Sequence, residues 1–255
     1  MNILAIGDIY GSCGLDMLSR RLPSIKRQYE ADFCIVNGEN AAGLGITPAM
    51  AESIFNAGGD VVTLGNHTFN RREIADYLDD CRYIVRPLNY APDAPGKGYV
   101  IYPVGGAQVC VINLIGRAGM DYNVDNPFTV IDRLLGSDEI KDKIIVVDFH
   151  AETTSEKYAM AYLLQDRVSV LFGTHTHVLT ADARLFGMTG YISDIGMTGP
   201  YNSIIGAKPE SALARFMGKL PSKLEAASGK AQLNGVCFTL DGKNCTAVTP
   251  ISVID

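Results

Sequence analysis

The six cysteines (Cys13, Cys34, Cys81, Cys110, Cys237, Cys245) include no C-x-x-C pair. Cys34 and Cys110 sit inside apolar runs and read as reduced core thiols. Lysine and arginine form no cluster, and the net charge is −6 with a pI of about 5.2. That balance argues against duplex nucleic acid as a partner. No apolar run reaches membrane-spanning length, so no membrane partner is expected. The opening MNILAIGD has no basic leader, and a reducing, cytoplasmic setting is the expectation. Histidine is scarce too, with four residues in 255.

Glycine is plentiful, and three glycines follow the first apolar run in AIGDIYGSCG (residues 5–14). The spacing is G-x-x-x-G-x-x-G, not the G-x-G-x-x-G of a dinucleotide turn. Asp8 stands where a pyrophosphate would want backbone N–H groups. A Rossmann-type binder is therefore excluded.

Five apolar, β-branched runs recur: 2–8, 32–40, 60–67, 144–150 and 168–177. Between them lie stretches of helical periodicity at 14–29, 71–80 and 154–166. Thr47-Pro48 reads as N-cap and first helical residue of a helix ending near Ala57-Gly58-Gly59. Strands alternating with helices predict an α/β fold with mostly parallel central strands. Two stretches break the rhythm. Residues 98–116 predict a hairpin turning at Gly105-Gly106, and the C-terminal third predicts another at Asp241-Gly242. No repeat or linker interrupts the chain, so one domain over 1–255 with two packed sheets flanked by helices is expected.

All four histidines close an apolar run: His67, His150, His175 and His177. Corresponding positions of the other runs carry Asp8 and Glu39-Asn40, and Asn66 precedes His67. In α/β sheets ligands bind beyond the carboxyl ends of the strands. Taken singly, each residue has a plainer reading. A strand-end His can be structural, Asp8 can cap the next helix, Asn66 can hold a turn and Glu39 can be solvated. Taken together, their confinement to strand ends predicts a metal site. Imidazole, amide and carboxylate donors without cysteine suit Fe, Mn or Zn at a catalytic centre. Seven candidate ligands beside one histidine acid are too many for one ion. Two ions about 3.5–4 Å apart, bridged by a carboxylate, use them.

The spaced set GD (7–8), NGEN (37–40), GNH (65–67), His150 and GTHTH (173–177) resembles the calcineurin-like metallophosphoesterases. It is most similar to their YmdB-type branch of dinuclear-metal phosphodiesterases acting on 2′,3′-cyclic nucleotides. That resemblance implies a four-layer α/β/β/α sandwich and iron as the first choice of metal, with manganese or zinc as alternatives. It implies one ion on Asp8, Glu39, Asn40 and His177 and a second on Glu39, Asn66, His150 and His175. His67 is left as the leaving-group acid, while a metal-bridging hydroxide attacks a small phosphodiester. Two positions depart from the wider pattern. The first motif lacks its D-x-H histidine, which Asn40 replaces, and Asn70 stands where many relatives carry an acid. Loops 39–45, 85–92 and 194–206 are candidate pocket walls. The alternatives are a phosphatase for other esters, or a nucleotide-binding regulator with structural metals. A homo-oligomer is left open.

Overall fold

A computed structural model describes residues 1–218 and 224–255. The first half alternates strands and helices: β1 (Asn2–Ile6), β2 (Asp8–Ile9), α1 (Gly11–Gln28), β3 (Phe33–Asn37), α2 (Pro48–Ala57), β4 (Val61–Thr63), α3 (Ile74–Asp80) and β5 (Ile84–Val85). The second half holds β6 (Tyr99–Val104), β7 (Ala107–Ile115), α4 (Pro127–Leu135), β8 (Ile144–His150), α5 (Thr154–Leu164) and β9 (Val170–Thr174). It closes with β10 (Arg184–Phe186), β11 (Thr189–Ile192), β12 (Met197–Pro200), α6 (Pro209–Phe216), β13 (Ala231–Asp241) and β14 (Asn244–Ile254).

These strands form two sheets. One runs β2-β12-β13-β1-β3-β4-β5 with β14 against β13, and the other runs β10-β11-β9-β8-β7-β6. Parallel pairing joins β1-β3-β4-β5, β2-β12 and β7-β8-β9-β11, while β6, β10 and β13 pair antiparallel with their neighbours. Strand periodicity sorts the side chains into layers. Leu4 and Ile6 pack outward against Met17, Leu18 and Leu22 of α1, while Ile3 and Ala5 face inward. Inward residues of the second sheet, among them Val111, Val146 and Phe172, meet them in a shared core. Val147 and Phe149 face outward to Met160 and Ala161 of α5. Burial on both faces explains the unbroken apolar runs. The result is the four-layer α/β/β/α sandwich.

Thr47 caps α2 by accepting the Met50 N–H at 3.3 Å, and Gly58 ends that helix at φ 110°. Strands β6 and β7 turn at Gly105-Gly106 as the sequence implies. The C-terminal hairpin turns one residue later than expected. Asp241 pairs with Asn244, leaving Gly242-Lys243 as the turn, and Gly242 takes the positive φ of 59°. Helices α4 and α6 are additions, each started by a proline at its first turn.

Candidate metal centre

Adjacent parallel strands point the same way, so their carboxyl ends share one rim. β1 runs into Gly7 and Asp8, β3 into Glu39 and Asn40, and β4 into Asn66 and His67. From the second sheet, β8 ends on His150 and β9 leads into His175 and His177. Every candidate ligand thus arrives at the seam between the two sheets. Asp8, Glu39 and His150 are fully buried.

His150 Nε2 lies 3.0 Å from Glu39 Oε1, 2.9 Å from Asn66 Oδ1 and 3.0 Å from His175 Nδ1. Beside this group, Asn40 Nδ2 stands 3.0 Å from Glu39 Oε1 and 3.2 Å from His177 Nε2. His177 Nε2 is 3.8 Å from Asp8 Oδ1. Glu39 therefore joins a cluster with Asn66, His150 and His175 to a neighbouring one with Asp8, Asn40 and His177.

The outward ring nitrogens are all engaged. His150 Nδ1–H donates to Thr174 Oγ1 at 2.8 Å, and that hydroxyl donates to Asp148 Oδ1 at 2.7 Å. His175 Nε2 faces Glu152 Oε2 at 3.1 Å, and His177 Nδ1–H donates to the Ile205 carbonyl at 2.9 Å. Each imidazole so oriented turns a bare nitrogen inward. Inward-facing atoms of the His150 and His175 rings, the Glu39 carboxylate and the Asn66 amide oxygen then crowd together. A cation resolves that crowding, and the donor chemistry suits a divalent metal. Asp8 Oδ1 is buried without any hydrogen-bond partner, as expected of an atom shaped to ligate. Gly65 leaves the room needed: a Cβ there would collide with Glu39 Oε2 and the His150 ring.

The electrostatics favour positive charge at this point. Burial raises the Asp8 carboxyl to about 6, with the His177 and His150 charges opposing. Burial also pushes the Glu39 carboxyl up, but His150, by charge and hydrogen bond, more than reverses it. Reciprocally, burial pulls His150 down and Glu39 carries it to about 9. Burial and the charge of His150 hold His175 down to about 3. A metal would take the place of the proton that Glu39 and His150 otherwise share.

His67 stands apart from this set. Its backbone N–H donates to Glu39 Oε2 at 3.1 Å, and its Nδ1 lies 3.2 Å from the Asn70 amide. The ring lines a cavity of about 490 Å³ whose floor holds Glu39, Asn40, His175 and His177. Leu44 from loop 39–45 and Ile204 and Ile205 from loop 194–206 also line it. Loop 85–92 instead approaches from behind, with Tyr90 Oη donating to the Gly65 carbonyl at 3.5 Å.

Several supporting residues escape sequence reasoning. Asp148 accepts from Thr63 Oγ1 at 2.6 Å and Asn37 Nδ2 at 3.1 Å, which ties both sheets to the His150 ring. Its signal was available: Asp148 lies two residues before His150 in a buried strand, on the same face. Lys157 is buried and donates to the Thr174 carbonyl at 2.9 Å and to Asp194 Oδ2 at 2.8 Å. Asp194 also accepts the Thr176 N–H at 3.0 Å, so this pair braces the turn bearing His175 and His177. Tyr122, whose hydroxyl accepts from Asn66 Nδ2 at 3.0 Å, was equally silent.

A four-layer sandwich with nitrogen and oxygen donors gathered at the seam of its parallel strands is a metallophosphoesterase architecture. Residues 4–251 match the model of the YmdB-like protein family, and the chain belongs to that family. The 2′,3′-cyclic-nucleotide 2′-phosphodiesterase of Bacillus subtilis is 43% identical over 250 residues, covering 97% of this chain and 94% of that protein. A hypothetical protein of Thermus thermophilus superposes with a TM-score of 0.93 at 41% identity, covering 100% of both chains. A novel phosphatase from Mycoplasma pneumoniae gives 0.92 at 34% identity, covering 100% of this chain and 93% of its own.

Proposed function

We propose that the chain is a metal-dependent phosphodiesterase acting on 2′,3′-cyclic nucleotides. The observation that carries this reading is the convergence of two donor clusters, sharing Glu39, on the floor of one cavity. The similarity to the Bacillus subtilis enzyme supports the substrate class. Asp8, Glu39, Asn40 and His177 would hold one ion, and Glu39, Asn66, His150 and His175 the other. Bound there, two such ions would make a water acidic at neutral pH and offset charge on the phosphoryl oxygens. Iron is the first choice, with manganese and zinc as alternatives.

The chain's own residues do the rest. Glu39 and Asp8 supply the negative charge that holds cations in a pocket otherwise built of neutral donors. Thr174, Glu152 and the Ile205 carbonyl fix the three ligand rings. His67 protonates the leaving alkoxide from Nε2. As an acid the ring carries a proton on both nitrogens, so Nδ1–H needs an acceptor. Turning the Asn70 amide end for end presents Oδ1 to it, an assignment heavy-atom positions leave free. Burial holds the His67 pKa below the ordinary imidazole value, with the Glu39 charge opposing it.

Metal analysis of the purified protein, combined with a panel of cyclic diesters, linear diesters and monoesters, tests this. The expected result is two metals per chain and turnover of the cyclic diester, lost on chelation. Preference for monoesters would favour a phosphatase. Tight nucleotide binding without product would favour a regulator that keeps its metals for structure.

A further inference from the structure

Beyond the metal floor the cavity has an apolar end that phosphate chemistry does not use. Leu44, Ile205, Phe216 and Leu224 line it and are 52%, 51%, 82% and 39% exposed. Four large apolar side chains exposed around one polar floor form a patch that marks a ligand site, not scattered surface residues.

Two of the four are held there by built backbone. Leu44 sits between Gly43 and Gly45, both at φ 81°. Arg71 fastens that turn by donating to the Leu44 carbonyl at 3.2 Å and the Ala42 carbonyl at 3.0 Å. Ile205 is a β-branched residue at φ 45°, a conformation that costs free energy and persists only where its surroundings enforce it. Its neighbours Ile204 and Ala207 exchange backbone hydrogen bonds at 2.9 and 3.0 Å, and Gly206 packs flat on the Tyr10 ring. The Ile205 carbonyl orients the metal-facing His177 while its side chain lines the cavity. One strained residue therefore links the phosphate-facing floor to the apolar wall.

We propose that this end of the cavity is a nucleobase subsite, in which Leu44, Ile205 and Phe216 hold the base while the ester lies over the metal floor. The inference rests on the phosphodiesterase reading and deepens it. A volume of about 490 Å³ admits a whole nucleotide where an ester alone would leave most of it empty. Apolar and stacking contacts are tolerant of base identity, so both purines and pyrimidines enter, with purines preferred for their larger face.

The test uses the double variant Leu44→Ser/Phe216→Ser, both side chains being largely exposed. Its kcat/KM is compared with the parent's for adenosine 2′,3′-cyclic phosphate and for the baseless glycerol 1,2-cyclic phosphate. The ratio of the two should fall roughly 10- to 100-fold, chiefly through KM for the nucleotide. Binding of adenosine, which has no phosphate, is measured in parallel by saturation-transfer NMR on the chelated protein and should weaken in the variant. Equal losses on both esters overturn the subsite, as does a changed molecular mass, which would make the patch a contact between copies. Absence of adenosine binding to the parent overturns it whatever the turnover. A parent that binds adenosine but hydrolyses neither ester instead defeats the phosphodiesterase reading and leaves the base contact standing.

Discussion

Thr174→Val removes one hydroxyl and almost no volume, yet it cuts the connection between a metal-facing ring and its anchor. In the parent, Thr174 Oγ1 accepts from His150 Nδ1–H at 2.8 Å and donates to Asp148 Oδ1 at 2.7 Å. All three groups are fully buried, so water cannot replace either bond. Asp148 keeps Thr63 and Asn37 on its other oxygen, whereas His150 Nδ1–H is left with no acceptor. Each buried group stripped of its partner costs roughly 1–3 kcal/mol, so the chelated variant, with His150 Nδ1–H and Asp148 Oδ1 both stripped, should lose roughly 2–6 kcal/mol of stability. The ring is also freed to change tautomer and turn its proton inward. Loss of such an orienting bond costs roughly 10- to 100-fold in metal affinity. Denaturant unfolding of the chelated protein and metal titration of the refolded protein read the two effects separately. Thr174→Ser, which retains the hydroxyl, should recover most of the affinity. A Val variant that binds metal within about twofold of the parent would refute the reasoning, as would a Ser variant that falls equally far.

Glu39→Gln keeps the size of the residue shared by the two clusters but removes its charge, and an amide bridges two cations poorly. It should lose at least one metal and nearly all turnover, and two retained metals with parental activity would remove Glu39 from the bridge. His67→Ala should keep both metals while slowing diesters with basic leaving groups by roughly 10²–10⁴-fold, and an activated nitrophenyl ester less; equal slowing of both esters counts against the acid role. Asp8→Asn should weaken metal binding yet stabilise the chelated protein above about pH 6. The sign follows from burial, which raises the folded carboxyl from 3.8 to about 6. Stability is then present below the unfolded value and lost as pH rises through the folded one, by roughly 3 kcal/mol at most. Urea melts of chelated parent and variant across that pH window measure it.

The layers of the fold and the ring of candidate ligands were legible for one reason. Strands buried on both faces write unbroken apolar runs, and polar residues that close such runs stand out. Asp8, Glu39, His150 and His175 announce themselves by position. The residues that orient them do not, because their partners are remote in sequence. Asp148 meets Thr63 across 85 positions and Asn37 across 111, and no periodicity encodes a contact between sheets. Lys157 reads as one more charged residue on a helix, and only packing reveals that it is buried against Asp194. The short helices α4 and α6 were missed because nine and eight residues give too little periodicity to separate from loop.

The placement of the site also ties its chemistry to the packing of the two sheets. Glu39 belongs to the first sheet and His150 to the second, and they meet at 3.0 Å with neither exposed. Asp148, from the second sheet, is satisfied largely by Thr63 and Asn37 of the first. The centre therefore forms only when the inter-sheet core closes, and a cation bound there must in turn hold the sheets together. Such binding stabilises the folded state by mass action, by roughly 4 kcal/mol at a thousandfold excess over Kd. Part of that gain would offset backbone strain, since His175 and His177 adopt φ values of 96° and 64° that non-glycine residues rarely take. The Lys157–Asp194 pair holds this turn from behind and the metal would hold it from the front. The strain would then lie between two electrostatic anchors, with both rings already aimed at the centre.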